Sequence, residues 1–117
     1  MLKLIYPDAE ALLKNVGIRP GESKIGEKVA FAEPEKALSS YGCRFALIGV
    51  PEDVGPRANL GFGGATDAWS AFLKYFLNLQ ANRLLPGDNI LVVGEVDTQE
   101  IQSAHDDIDS LRAVCEQ

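Results

Sequence analysis

The residues most able to do chemistry stand in one turn-rich stretch, Gly49-Val50-Pro51-Glu52-Asp53-Val54-Gly55-Pro56-Arg57-Ala58-Asn59-Leu60-Gly61-Phe62-Gly63-Gly64. Arg57 offers a planar fork suited to a carboxylate. Asn59, two positions on, both donates and accepts hydrogen bonds. Gly61, Gly63 and Gly64 permit positive φ and bring backbone N–H groups close to a ligand at a helix start. Glu52 and Asp53 precede the arginine, and Glu95 and Asp97 end a second apolar run. Together these residues suit the recognition of a small ligand carrying a carboxylate or phosphate. The plainer reading is a sharp strand-to-helix turn that needs its glycines, with Arg57 pairing with Glu52 or Asp53 to hold it.

Other chemistries fit less well. The segment Gly61-Phe62-Gly63-Gly64-Ala65-Thr66 lacks the last glycine of a dinucleotide fingerprint. No acidic residue takes the ribose-binding part, and no Walker lysine is present. Ser103-Ala104-His105-Asp106-Asp107 and Asp107-Ile108-Asp109 look superficially like metal-binding motifs. However, His105 is the only histidine, and acidic residues in a first helical turn are favoured by the helix dipole without any metal. No catalytic residue and no metal ligand is therefore assigned. Cys43 and Cys115 lack ligand spacing and read as small buried hydrophobes in a reducing compartment. The aromatic set Trp69, Phe72, Tyr75 and Phe76 reads as core packing rather than as a cofactor-stacking surface.

The elements that must position these residues follow from patterning. Residues 44–50 form an unbroken apolar run after Arg44, which suggests a strand covered on both faces, as in parallel sheets. Trp69, Phe72, Leu73, Phe76 and Leu77 lie at helical spacing, with Thr66 or Asp67 as the cap. Pro86-Gly87-Asp88 turns the chain into a second strand, Asn89 to Asp97. Strand, loop, helix, turn and strand make a βαβ unit. In such sheets ligands bind beyond the carboxyl ends of the strands, so Glu52, Asp53, Arg57, Asn59, Glu95 and Asp97 are expected on one rim. Within residues 1–43, an irregular and helical lead-in, Asp8 caps a short helix from Ala9 to Val16. Pro34 fits the first turn of another helix and Gly42 its end. Residues 98–117 form a terminal helix with Ser103 and Asp106 in capping-box spacing and a stripe of Ile108, Leu111, Val114 and Cys115. The expected organisation is a single α/β portion: lead-in 1–43, βαβ core 44–97 and terminal helix 98–117.

Eleven basic against seventeen acidic side chains give a net charge of −6. That argues against nucleic acid and against an anionic membrane surface as partners. No apolar run reaches the roughly 18 residues that a spanning helix needs, and no secretory signal is visible. The expected location is the cytoplasm.

The stretch "FALIGVPEDVGPRANLGFGGATDAWSAFLKYFLNLQ" followed by "NILVVGEVD" resembles the N-terminal part of the ureohydrolase family. That family includes arginase, agmatinase and formimidoylglutamase, and the chain is most similar to the formimidoylglutamase-like branch. The family pattern is a strand ending in "GxP(E)D", then "GxRxNxGRxGA", a helix and a strand. Gly49 to Asp53 and Gly55 to Ala65 follow that order, with Phe62 near where the pattern favours a basic residue. The resemblance covers roughly Arg44 to Asp97. It implies an arginase-like, parallel three-layer α/β sandwich, here incomplete, and hydrolysis of a linear guanidino or amidine C–N bond. It also implies two manganese ions that lower the pKa of a bridging water. The family's "GGxH", "DxHxD" and "DxD" motifs are absent, so the expectation is an N-terminal portion, inactive alone, whose Arg57 and Asn59 contact substrate. The small-molecule substrate and the manganese pair belong to a full-length parent, and unpaired helix faces favour a homo-oligomer. Two alternatives stay open. One is a non-catalytic oligomerising or regulatory α/β module, and the other is a small anion-binding protein using the Gly63-Gly64 helix start.

Overall fold

The computed structural model describes residues 3–102 and 107–116. In chain order its strands are β1 (Leu4–Ile5), β2 (Ala30–Phe31), β3 (Phe45–Gly49) and β4 (Ile90–Val96). Its α-helices are α1 (Ala9–Leu13), α2 (Val54–Ala58), α3 (Ala68–Phe76), α4 (Gln99–Gln102) and α5 (Ile108–Cys115). The four strands form one mixed, open sheet, so the architecture is α/β. β3 runs parallel to β4, with Phe45 opposite Ile90 and Gly49 opposite Glu95. β2 is also parallel to β4, opposite Leu91 and Val92, whereas β1 is antiparallel, opposite Val96 and Glu95. Leu91 and Glu95 each have a partner on both sides. β1 and β2 therefore share one edge of β4, and β3 holds the other. Residues 1–43 thus supply two strands that their irregular sequence conceals.

The expected βαβ unit is present as β3, α3 and β4. Its strands are neighbours, as parallel strands joined by a crossover helix should be. Asp8 caps α1 by accepting from the Ala11 N–H at 3.1 Å, although the helix ends at Leu13 rather than Val16. Pro34 starts no α-helix. A turn stands there, and the segment tightens only into a 3-10 turn over Leu38–Tyr41, which Gly42 closes at φ 65°. Asp107 caps α5, accepting from the Ser110 N–H at 2.9 Å. The expected Ser103–Asp106 capping box and His105 lie outside the described residues.

Alternate residues of β4 feed two cores. Ile90 and Val92 pack with Leu73 of α3, with Leu77 at its C-cap, and with Val16, Ile25 and Val29 from the lead-in. Leu91 and Val93 face the other way, towards Ala32, Leu4, Tyr41 and Cys43. Leu47 opposes Val92 and Ile48 opposes Gly94, so Val93 is the extra residue of a β-bulge. A third, small cluster joins Val54 and Ala58 of α2 to Leu111 and Val114 of α5.

Several expectations about burial are corrected. β3 is covered on one face only. Leu47 and Gly49 face α3, but Ile48 is 49% exposed, Val50 is 59% exposed, and the outer edge of β3 has no partner among the described residues. An apolar run read as doubly covered is therefore an edge strand. In α3 and its C-cap, Leu73 and Leu77 are buried and Trp69 and Phe76 half-buried, while Phe72 and Tyr75 lie on the solvent side. The Phe72 ring stacks against those of Trp69 and Phe76, with centroids 5.8 and 5.0 Å away. Cys43 is half-buried, but Cys115 is exposed, because α5 buries only the Leu111 side of its stripe. No helix among the described residues is long and apolar enough to cross a membrane.

Candidate functional site at the carboxyl edge of the parallel pair

The chain leaving β3 is less of a loop than its glycines suggest. Pro51 turns it sharply, the Glu52 N–H donating to the Val50 carbonyl at 2.9 Å, and α2 begins at Val54. Pro56 is tolerated because N–H groups in a first helical turn have no intrahelical acceptor. α2 ends in a Schellman motif: the Gly61 N–H reaches the Pro56 carbonyl at 2.8 Å and the Leu60 N–H reaches that of Arg57 at 3.1 Å. The left-handed position of that motif is filled by Leu60, at φ 64°, where glycine is usual. Of the three glycines expected to use positive φ, only Gly64 does, at 119°. Gly61 and Gly63 are glycines for lack of space: a Cβ on Gly61 would lie 2.9 Å from the Pro56 carbonyl oxygen, and one on Gly63 would lie 2.7 Å from Asp53 Oδ2.

Asp53 is the hub. Its Oδ1 accepts from Arg57 Nε at 3.1 Å and from Gln102 Nε2 at 2.8 Å, and its Oδ2 accepts from the Gly64 N–H at 2.9 Å. Gln102 also accepts from the Asp53 N–H at 3.2 Å. The residue is only 9% exposed. The Gly64 N–H and the Gln102 amide hold its carboxyl below the ordinary carboxylate pKa of 3.8, and the Arg57 guanidinium adds to this against the opposing effect of burial. The backbone N–H that an external anion would use at the helix start is thus already taken by an internal carboxylate. Arg57 takes the holding role, with Asp53 rather than Glu52 as its partner. Glu52 instead accepts from the Gly55 N–H at 3.0 Å.

The segment leaving β4 arrives at the same edge. Thr98 Oγ donates to the Pro51 carbonyl at 2.7 Å, and Gln102 of α4 meets Asp53 as above. The two strands do deliver their outgoing segments to a common rim, but through Thr98 and Gln102, which sequence reasoning missed. The regular signal available for them was Thr98 as the residue just before α4, whose carbonyl accepts from the Gln102 N–H. Asp97 caps locally, accepting from the Gln99 N–H at 3.1 Å, and Glu95 points elsewhere. Asn59 lies at the C-terminal end of α2, exposed, two residues from Arg57. A shallow cleft of about 310 Å³ opens beside them, lined by Arg57, Leu60, Gly61, Phe62 and Gly63 and closed by Ile108 and Leu111 of α5. Phe62, at 98% exposure, stands free of any packing. Among the described residues no group of three His, Cys, Asp or Glu side chains could hold a metal ion. Asp107, which both motif-like stretches share, serves as a helix cap.

No family model, no curated protein and no solved structure matches this chain.

Proposed function

We propose that this chain is the N-terminal α/β portion of a formimidoylglutamase-like hydrolase of linear amidine C–N bonds, inactive as the isolated chain. In this reading the sheet belongs to an arginase-like three-layer sandwich, Arg57 and Asn59 form part of the substrate-binding rim, and the setting is cytoplasmic. What supports it most is one observation: parallel β3 and β4 lie side by side, and the motif-bearing segment after β3 is laced to the segment after β4 through Asp53 and Gln102. The described residues do not fit a dimanganese centre, so the metal pair is assigned to a full-length parent and no step is derived through it. The chain's own contribution is positioning. Asp53 fixes the plane of the Arg57 guanidinium through Nε, and the Schellman turn holds Asn59 at the end of α2, two residues from Arg57.

Amide chemical shifts in the 15N-labelled protein test this directly. Formimidoylglutamate, titrated into the millimolar range, should move the resonances of Asn59, Gly61, Gly63 and Gly64. Unmoved amides at saturating ligand would reject the rim assignment. Manganese and the same compound should give no turnover, and metal-dependent hydrolysis by this chain would reject its inactivity.

A second reading, a non-catalytic oligomerising module, is favoured by the free edge of β3. The Phe45 N–H points to β4, donating to the Asn89 carbonyl at 3.0 Å. By strand alternation, Ala46 and Ile48 direct their backbone groups to the open edge, and Val50 its N–H. A second copy related by a two-fold axis through Ile48 would place Ala46 opposite the partner strand's Val50 position. The outward groups of Ala46 and Ile48 would then be paired, and the exposed Ile48 side chains would meet.

A further inference from the structure

We infer that the groove between α1 and α3, beside Glu95, is a binding site for a small organic cation, distinct from the cleft at Arg57. The groove holds about 290 Å³ and is walled by Ile5, Leu12, Trp69 and Leu73, with Glu95 in its lining.

Glu95 is there because of the bulge. Without an extra residue in β4, strand alternation would put Glu95 on the face of Leu91 and Val93. The bulge at Val93–Gly94 resets the alternation and turns Glu95 onto the α3 face, beside Trp69. Bulges commonly re-aim a side chain in this way. The arrangement demands glycine at position 94, which sits at φ 125° with its Cα against the Ile5 carbonyl, where a Cβ would collide.

The other polar groups of the groove are taken up. Asp8 accepts from the Ala11 N–H at 3.1 Å, Ser70 Oγ donates to the Asp67 carbonyl at 3.0 Å, and Asn15 leans on the Ala11 carbonyl at 3.5 Å. The half-buried Glu95 carboxylate has no hydrogen bond or ion pair among the described residues. A carboxylate turned into an apolar groove loses hydration unless a cation or donor restores it. The Trp69 indole in the same lining adds attraction for a cation through its π-system. A carboxylate beside an indole in a groove of this size suits an alkylammonium or guanidinium head group.

Trp69 is the only tryptophan, so its fluorescence reports on this groove alone. Methylguanidinium chloride, titrated to 20 mM on the order expected for one charge-assisted contact, should change the emission saturably at constant ionic strength. The neutral isostere methylurea should not. Glu95→Gln should weaken the effect about tenfold or more, while Asp109→Asn on exposed α5 should leave it unchanged. An absent response, an equal response to methylurea, or full retention in Glu95→Gln would each overturn the proposal. Circular dichroism of each variant confirms that the fold is kept. This readout is separate from the amides of Asn59 to Gly64, so the rim assignment and the groove fail independently.

Discussion

At the scale of single residues, Asp53 and Leu60 bear most of the organisation of the rim. The folded-state pKa of Asp53 is lowered, so its contribution to stability is fully present above the ordinary carboxylate value and is lost as pH falls through the lower folded value. Urea denaturation should therefore show the wild type losing stability on acidification below about pH 4. Asp53→Asn should lose less over the same range and start about 2 kcal/mol lower at pH 7, because Arg57 and Gln102 would be left imperfectly paired. Leu60 offers the opposite test. A β-carbon in the left-handed region costs about 1–2 kcal/mol, so Leu60→Gly should raise the denaturation midpoint by roughly 1 kcal/mol of stability. An unchanged or lower midpoint would mean that the exposed leucine makes a compensating contact. Arg57 was legible as a charged residue with an acidic partner four positions before it. Gln102 was not, since forty-nine residues separate it from Asp53 and nothing local marks an amide that will close such a span.

At the scale of elements, the regular ones were readable and the short ones were not. The α3 stripe and the apolar runs of β3 and β4 carry their period in the sequence. β1 and β2 are two residues each, too short for a period, and exist only because β4 has an edge to offer. Nor can periodicity tell an edge strand from a buried one. The side chains of β3 are as apolar as those of β4, and only the neighbours differ. The contact between α3 and β3 is tight at one point, where a Cβ on Gly49 would run into the Trp69 indole. Gly49→Ala should therefore displace the indole, shift its emission and cost about 1–3 kcal/mol in chemical denaturation. The free edge yields a prediction for the module reading. Ile48→Lys, a charge of the kind that blunts natural sheet edges, should convert a dimer to a monomer in light scattering at micromolar concentration. A wild type that is monomeric throughout would remove the edge-pairing proposal.

At the scale of the whole molecule, the described residues extend 54 × 29 × 25 Å with a radius of gyration of 16.8 Å, against about 13 Å for a compact chain of 100 residues. The elongation accords with three small cores in place of one. The outlying cluster of Val54, Ala58, Leu111 and Val114 should melt locally: Leu111→Asp should raise amide exchange in α5 while leaving β4 protected. A global loss of protection would show that the outlying cluster and the sheet unfold as one unit. The sheet has its own consequence for how the chain acquires structure. Each of its ladders includes β4, which begins at residue 90. A nascent chain emerging from the ribosome therefore carries three would-be strands with nothing in this sheet to pair against until residues 90–96 have been synthesised. Registration must then happen in one late, long-range event, slow by the usual dependence on sequence separation, and in that interval a chaperone has the best opportunity to hold this polypeptide.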